Sequence, residues 1–418
     1  MFIKRLSLIL LITMSLMVGC ACNKQKKAPA PQAPVTLVPN SQNNDFACQL
    51  YGKVEVPGKN LFYSPYSIST ALSMTWAGAK GNTAEEMAKA MSFNLPFEEQ
   101  HASFRDQQKA LNAIGKRGKA QLSVANAIFD AKIYEKLLVP DFVKLLKDYY
   151  DSAVYSLDFG DYDGASKYIN TWVEERTNNR IKDLVSPQHI RDSNDGMVLV
   201  NAIFFKGNWL LQFNPKNSVE DTFYTESKRS VESAKPVKMM TQTGEFPYAE
   251  MDGYQILELP YSESELAMLV VIPDDIDSMK ENFSPKLLAA WQAQLRTQEV
   301  KVFMPAFKLE LTLNGLPGKL KEMGMIDAFD EVRADFSGIR RSDTGKGLYI
   351  QDIIHKAFIE VNEEGTEAAA ATAVVMGTKS VAMPSPVFRA DRPFLYMILH
   401  KPTNNILFLG KFADPPKL

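Results

Sequence analysis

The residue types that most often carry catalysis are present in this chain, but their spacing does not form a catalytic motif. The chain has 418 residues and only four histidines: His101, His189, His355 and His400. None of them belongs to a His-Glu-x-x-His zinc motif, and no Gly-x-Ser-x-Gly sequence marks a hydrolase nucleophile. The stretch Thr344-Gly345-Lys346-Gly347 lacks the rest of a phosphate-binding loop. The sequence therefore predicts no enzyme, no metal site and no bound cofactor.

The three cysteines point to a different chemistry. Cys20 and Cys22 precede the body of the chain and Cys48 stands alone, so no disulfide framework is expected, and Cys48 is interpreted as a small buried side chain. Residues 1–19 hold two early cations and an apolar run too short to span a bilayer, which is typical of a signal peptide. The run ends in LMVGC at 16–20, which resembles a bacterial lipoprotein cleavage box. This resemblance implies that Cys20 is lipidated, with acyl chains such as palmitate as a membrane anchor. The alternative is a plain signal peptide cut nearby.

The composition separates an N-terminal tether from a globular body. Residues 20–44 show no hydrophobic periodicity, and their Pro, Ala, Lys and Asn content predicts a lipidated N-terminus and flexible tether. Residues 45–418 are long enough to bury a large core. The chain is 45% hydrophobic and 23% charged with a net charge of −2, which gives no indication of nucleic-acid binding. We expect a monomer of the cell envelope, lipid-anchored at the outer membrane or cell surface, or secreted.

Several segments predict the elements of a mixed α and β body. Ser64-Pro65 marks a helix start, and apolar residues follow at helical spacing. Residues 122–129 predict a buried strand, and the nearly continuous apolar run 197–209 predicts a strand covered on both faces. Residues 134–150 have the periodicity of an amphipathic helix.

The most unusual stretch is 363–380, which begins with charge and a glycine, continues through four alanines and ends at Lys379-Ser380. At period two, one of its faces is small or apolar from Thr366 to Met376, whereas the other opens with Glu367. This alternation favours a half-buried strand. The four alanines also favour a short surface helix, because alanine has the highest helix propensity. A segment weakly committed to both states can switch between them.

Residues 361–372 (VNEEGTEAAAAT) resemble the hinge of the reactive-centre loop of the serpins, which inhibit serine proteases by changing shape. Further blocks are similar to serpin sequence in the same order, among them NLFYSPYSI at 60–68, MVLVNAIFFKGNW at 197–209, ADFSGI at 334–339 and ADRPFLY at 390–396. The resemblance implies the α+β serpin fold. That fold has three β-sheets, about eight or nine helices and an exposed reactive-centre loop, here at about 363–386.

The resemblance also implies roles for individual residues. The hinge would comprise Glu363, Gly365, Thr366, Glu367, Ala368, Ala369, Ala370, Ala371 and Thr372. The shutter, a polar cluster beneath the strands that must part, would comprise Ser64, Ser67, Asn201 and His355; by itself, His355 also fits a satisfied core histidine. The breach, where the loop first enters the sheet, would comprise Trp209 and Glu363. Ala306 stands where the family often has the basic partner of Glu363, with Lys308 nearby.

The reactive bond and the mechanism follow from the same resemblance. Counting fourteen residues on from Gly365, the spacing of the family, places the cut between Lys379 and Ser380. The segment 380–392 is longer than in familiar serpins, so a cut further downstream remains open. The implied function is inhibition of trypsin-like serine endopeptidases through a covalent acyl complex and loop insertion. The alternative is a non-inhibitory serpin-fold binding protein, against which the small hinge residues argue.

Overall fold

The computed structural model describes residues 41–117, 120–192, 197–341, 347–366 and 385–416. The predicted signal peptide at 1–19, the lipidation site Cys20, residues 20–40 of the tether, hinge residues 367–372 and the bond between Lys379 and Ser380 lie outside these ranges.

Within these ranges the chain forms ten α-helices, or nine if the single-turn α8 is left out. Their bounds are α1 Ser41–Val54, α2 Pro65–Trp76, α3 Gly81–Ala90, α4 Phe97–Lys116, α5 Pro140–Tyr150, α6 Tyr162–Arg176, α7 Pro187–Asp192, α8 Met279–Asn282, α9 Pro285–Gln294 and α10 Leu316–Glu322. Among the described helices, none is long and apolar enough to cross a membrane.

Fifteen strands accompany these helices in the described residues. Their bounds are β1 Leu61–Tyr63, β2 Ala120–Ala131, β3 Val154–Leu157, β4 Met197–Asn208, β5 Val219–Tyr224, β6 Ala234–Met251, β7 Tyr254–Pro260, β8 Leu266–Pro273, β9 Arg296–Pro305, β10 Phe307–Leu313, β11 Ile350–Val361, β12 Gly365–Thr366, β13 Val387–Arg389, β14 Phe394–His400 and β15 Asn405–Phe412.

The strands form two hydrogen-bonded networks. One is a six-stranded sheet in the order β10-β11-β12-β4-β2-β3. The other has nine strands, in the order β1-β15-β14-β8-β7-β6-β9-β13 with β5 also paired to β6. The 18-residue strand β6 pairs with β9 over 239–248 and with β7 over 248–251. The three sheets expected from the sequence are therefore present, with two of them joined through this one long strand.

Strands β4 and β11 are parallel neighbours in the middle of the six-stranded sheet. Residues 353–358 of β11 lie directly opposite 199–204 of β4. Beyond this region the two strands separate, and the two-residue strand β12 lies between them, antiparallel to both. We call the strand position between β4 and β11 the slot.

Both faces of the sheet are covered at the slot, which explains the continuous apolar run of β4. All twelve residues of α2 are buried, and this helix lies behind β4. On the front, Val198, Val200 and Ala202 pack against Ile169 and Trp172 of α6. Alternate residues of β4 therefore face the two helices.

Two helix boundaries differ from the sequence-based expectation. Helix α1 begins at Ser41, so residues 41–44 of the predicted tether are helical. The Asn44 side chain donates to the carbonyl of Asn404 at 2.7 Å and accepts from the N–H of Ile406 at 2.9 Å, which fixes α1 against the C-terminal hairpin. The helix predicted from residue 134 is divided into a 3₁₀ helix over Lys132–Leu137 and α5, which begins at Pro140 because proline fits the first turn of a helix and favours an extended residue before it.

Candidate functional site

The first residues of the predicted hinge lie inside the slot. Gly365 lies opposite Asn208, and Thr366 lies opposite Gly207 of β4 and Val361 of β11. The Thr366 side chain is fully buried. A Cβ atom at Gly365 would lie 2.1 Å from the carbonyl oxygen of Gly207, so this close approach of the two backbones requires glycine.

The hydroxyl of Thr366 contacts Tyr261, which directly follows β7. The two hydroxyl oxygens are 2.8 Å apart, and both side chains are fully buried. The Tyr261 ring stacks on Trp209 with ring centroids 4.7 Å apart. Gly207 leaves room for this ring, since a Cβ atom there would lie 2.9 Å from Tyr261 Cδ1. Burial raises the pKa of Tyr261, so its hydroxyl keeps its proton near neutral pH.

Trp209 and its neighbours hold the turn that leads into β12. The indole Nε1–H of Trp209 donates to the carbonyl of Asn362 at 3.0 Å. The backbone N–H groups of Trp209 and Phe213 donate to the carbonyls of Glu364 at 2.9 Å and Glu363 at 2.8 Å. The two residues predicted for the breach, Trp209 and Glu363, therefore lie together at the entrance to the slot.

Glu363 forms its ion pair with a lysine that the sequence analysis did not single out. The Nζ atom of Lys238, on β6, lies 2.6 Å from a carboxylate oxygen of Glu363. Lys308 pairs instead with Glu360, at 3.9 Å. The N–H of Ala306 donates to the Lys238 carbonyl at 2.8 Å, so the cation comes from the strand next to the position where a basic residue was expected.

Several contacts together determine the charge state of Glu363. Burial alone raises the pKa of this carboxyl, but hydrogen bonds to Lys238, to Ser218 and to the backbone, together with the charge of Lys238, outweigh burial, and the pKa lies below its ordinary value. Glu363 is therefore ionised at neutral pH, which favours the pair.

The four residues predicted for the shutter form one connected and fully buried cluster. The N–H of Ser64 donates to Nε2 of His355 at 3.1 Å, and the Ser64 hydroxyl accepts from the N–H of Ser67 at 3.0 Å. The Asn201 amide donates to the Ser67 carbonyl at 2.6 Å. Ser64 is also the N-cap residue of α2, so the cluster ties the start of this helix to β4 and β11.

A fifth residue, Asn126 of β2, extends the shutter cluster across the sheet. Asn126 lies opposite Asn201, and Asn201 lies opposite His355. The Asn201 amide donates to Oδ1 of Asn126 at 2.6 Å. The role of Asn126 was not predicted, because its signal in the sequence is a single amide within a segment that otherwise has the pattern of a buried strand.

His355 is neutral in this cluster. Its Nε2 accepts from Ser64, so its proton lies on Nδ1, which donates to Oδ1 of Asn201. Burial lowers the pKa of His355 from 6.5 to about 3. The bond between His355 and Asn201 joins the two strands that border the slot.

The remaining predicted site residues, Glu367 to Thr372, Lys379, Ser380 and Cys20, lie outside the described ranges. Within those ranges no group of three or more His, Cys, Asp or Glu side chains is arranged to hold a metal ion. Cys48 is a buried free thiol in α1.

The lowered pKa of His355 predicts that the free energy of unfolding depends on pH. Its pKa is about 3 in the folded chain and about 6.5 in an unfolded one, so the unfolded chain binds the extra proton between these values. The free energy of unfolding therefore falls as the pH falls below 6.5, and we expect His355 to account for about 2 kcal/mol between pH 7.5 and pH 5. Urea unfolding of the wild type and of His355→Gln at both pH values measures this difference; equal pH dependence in the two proteins would contradict it.

Comparison with known proteins identifies the family. A family model described as "Serpin (serine protease inhibitor)" matches residues 41–415. Human Serpin B8 is 39% identical over 384 residues, covering 89% of this chain and 98% of that protein. Human leukocyte elastase inhibitor is 38% identical over 394 residues, covering 90% of this chain and 99% of that protein.

Solved structures agree with this result. Human thyroxine-binding globulin, in complex with thyroxine, has a TM-score of 0.79 at 32% identity, covering 90% of this chain and 98% of that chain. Uncleaved ovalbumin has a TM-score of 0.78 at 31% identity, covering 90% of this chain and 100% of that chain. These likenesses confirm the predicted α+β serpin fold. The chain therefore belongs to the serpin family of serine protease inhibitors.

Proposed function

We propose that this serpin inhibits trypsin-like serine endopeptidases as a suicide substrate whose cleaved loop inserts into the slot between β4 and β11. The observation that carries the proposal is the position of Thr366, which is buried between these strands and antiparallel to both. A strand begun at this end can lengthen along the slot by adding backbone hydrogen bonds on both sides.

The register of β12 determines which loop residues would meet which residues of the sheet. Thr366 lies opposite Gly207 and Val361, and each step forward along the loop moves one residue back along both neighbouring strands. Ala368 would then lie opposite Phe205, which is fully buried in the core behind the sheet. After insertion, alternate loop residues from Thr366 onward would face this core, and they are the small or apolar ones of the sequence pattern.

The same register would bring Thr372 between Asn201 and His355. An inserted strand separates His355 Nδ1 from its present acceptor on Asn201. A threonine hydroxyl both donates and accepts, so Thr372 can bond to both groups. The shutter cluster would then exchange partners instead of leaving buried polar groups unpaired.

Cleavage releases the loop for insertion. The protease serine attacks the carbonyl carbon of Lys379, an ester bond forms, the C–N bond to Ser380 breaks, and the serine proton passes to the leaving amine. The loop up to Lys379, with the protease attached, is then free to enter the slot. Insertion carries the protease along and distorts its active site before water hydrolyses the ester.

The residue before the cut supports a trypsin-like target. The Lys379 ammonium suits an acidic specificity pocket, whereas Met376 and Met383 suit other proteases. A binding function without inhibition is the competing proposal, since thyroxine-binding globulin, which has the same fold, was solved with thyroxine bound.

We expect the folded body, mixed with trypsin, to form a covalent complex that survives SDS electrophoresis. Mass spectrometry of the released C-terminal peptide should place its first residue at Ser380. A peptide that starts elsewhere would move the reactive bond and keep the mechanism. Complete cleavage without a complex would contradict trapping of trypsin and favour the binding function.

The register predicts opposite results for aspartate at two adjacent positions, a side chain after which trypsin does not cut. Ala368→Asp places a carboxylate opposite the buried Phe205, and we expect about tenfold or more inhibitor to be consumed per trapped protease, because an unpaired buried charge opposes insertion. Glu367→Asp keeps a carboxylate beside the half-exposed Lys206 and Glu360, and near wild-type trapping is expected. Titration of trypsin activity measures both ratios; equal loss in the two variants would contradict the register.

We further propose that the mature protein begins at Cys20 and is held at a cell-envelope membrane by acyl chains on that residue. The support is the LMVGC sequence at 16–20 behind a short apolar run. Residues 21–40, rich in proline, alanine and lysine, would hold the inhibitor away from the lipid surface.

Replacement of single cysteines tests the anchor. Cys20→Ala should abolish incorporation of labelled palmitate and move the protein out of the membrane fraction, because acyl chains are the anchor. Cys22→Ala, two residues away, should retain both properties. Membrane association of Cys20→Ala equal to that of the wild type would contradict the proposal.

A further inference from the structure

Thr366 and Tyr261 form a buried pair of hydroxyl groups at the end of the slot, with 2.8 Å between their oxygen atoms. The Tyr261 ring is held from two sides. It stacks on Trp209 and makes an edge contact with Phe205, with ring centroids 5.0 Å apart. Because the ring is fixed, Thr366 leaves the slot only by breaking this hydrogen bond.

Breaking the bond is costly because of what surrounds it. Tyr261 belongs to an apolar cluster that includes Phe205 and Trp209, and it is fully buried. A buried hydroxyl that loses its partner costs more free energy than the hydrogen bond itself contributes. The Tyr261 hydroxyl therefore favours the conformation in which Thr366 is inside the slot.

We propose that Tyr261 is a positioning residue for protease trapping: its hydroxyl holds Thr366 in the slot before cleavage and thereby sets how often insertion precedes hydrolysis of the acyl bond. This inference rests on the proposed function. It assigns a role to a residue outside the loop, the shutter cluster and the breach residues.

Two steps compete after cleavage. The cleaved loop either inserts and traps the protease, or water hydrolyses the ester and the protease is released. Insertion that starts with Gly365 and Thr366 already ordered between two strands does not have to order them first. If Thr366 is outside the slot at the moment of cleavage, insertion starts later, and a larger fraction of the acyl-enzyme is hydrolysed before the protease is trapped.

A cycle of three variants tests the proposal. Tyr261→Phe removes one hydroxyl, Thr366→Val removes the other with little change of shape, and the double variant removes both. Each single variant leaves one buried hydroxyl unpaired, whereas the double variant leaves none. We expect each single change to speed hydrogen–deuterium exchange of the amides at 362–366 on the order of tenfold and to raise the inhibitor consumed per trapped trypsin severalfold. The double variant should return both quantities towards wild-type values.

Tyr396→Phe is the matched control, because it removes a hydroxyl from another fully buried tyrosine, on β14. It should leave both quantities unchanged. Unchanged exchange in the single variants, or no recovery in the double variant, would overturn the role of the hydroxyl pair. Faster exchange with unchanged inhibitor consumption would overturn the link to trapping. If the wild type forms no complex with trypsin, the proposed function fails for this protease, while the exchange data still decide whether Tyr261 holds the hinge.

Discussion

The pairing of β4 with β11 is the constraint on which the rest of the structure depends. The two parallel strands are bonded directly where 353–358 meets 199–204, and they are separated by β12 at one end. Under the proposed mechanism, the direct ladder holds the sheet together in the intact protein and yields to a new strand after cleavage. A strand inserted between them replaces one ladder of hydrogen bonds by two. The backbone groups of β4 and β11 are therefore paired in the intact sheet, but an expanded sheet contains more hydrogen bonds in total.

The chemistry of the shutter cluster suits the separation of β4 and β11 that the proposed mechanism requires. An apolar contact across the slot would be lost when the strands separate, whereas a hydrogen bond can be made again to a new partner. The bond between His355 and Asn201 crosses the slot, while the bonds of Ser64 and Ser67 connect the two strands to α2 behind the sheet. Each strand therefore keeps a polar contact to α2 when the bond across the slot is broken.

Local signals were enough to predict some elements and not others. The helix start at Ser64-Pro65 and the strand β4 depend on residues adjacent in sequence, and both were predicted. The helix expected from residue 134 is interrupted before Pro140, where α5 begins, because a proline outweighed the hydrophobic period. Asn126 lies on β2, which neighbours β4 only in the folded sheet, and Lys238 and Tyr261 reach Glu363 and Thr366 from the other network. No local pattern therefore connects these residues to their partners. The hinge was predicted from a sequence motif, whereas its contacts depend on how the two strand networks pack together.

Two polar contacts hold the start of the hinge, and their environments differ. The side chain of Lys238 is 50% exposed in its pair with Glu363, so water and salt weaken that attraction, and such pairs contribute about 1 kcal/mol or less. The hydroxyl pair of Tyr261 and Thr366 is fully buried, where no water can replace a lost partner. Under the proposed role of Tyr261, the ion pair orients the entrance of the loop, while the buried pair decides whether Thr366, the first residue in the slot with a side chain, stays inside. The hinge is thus held chiefly by a contact that its own outward movement would leave unsatisfied.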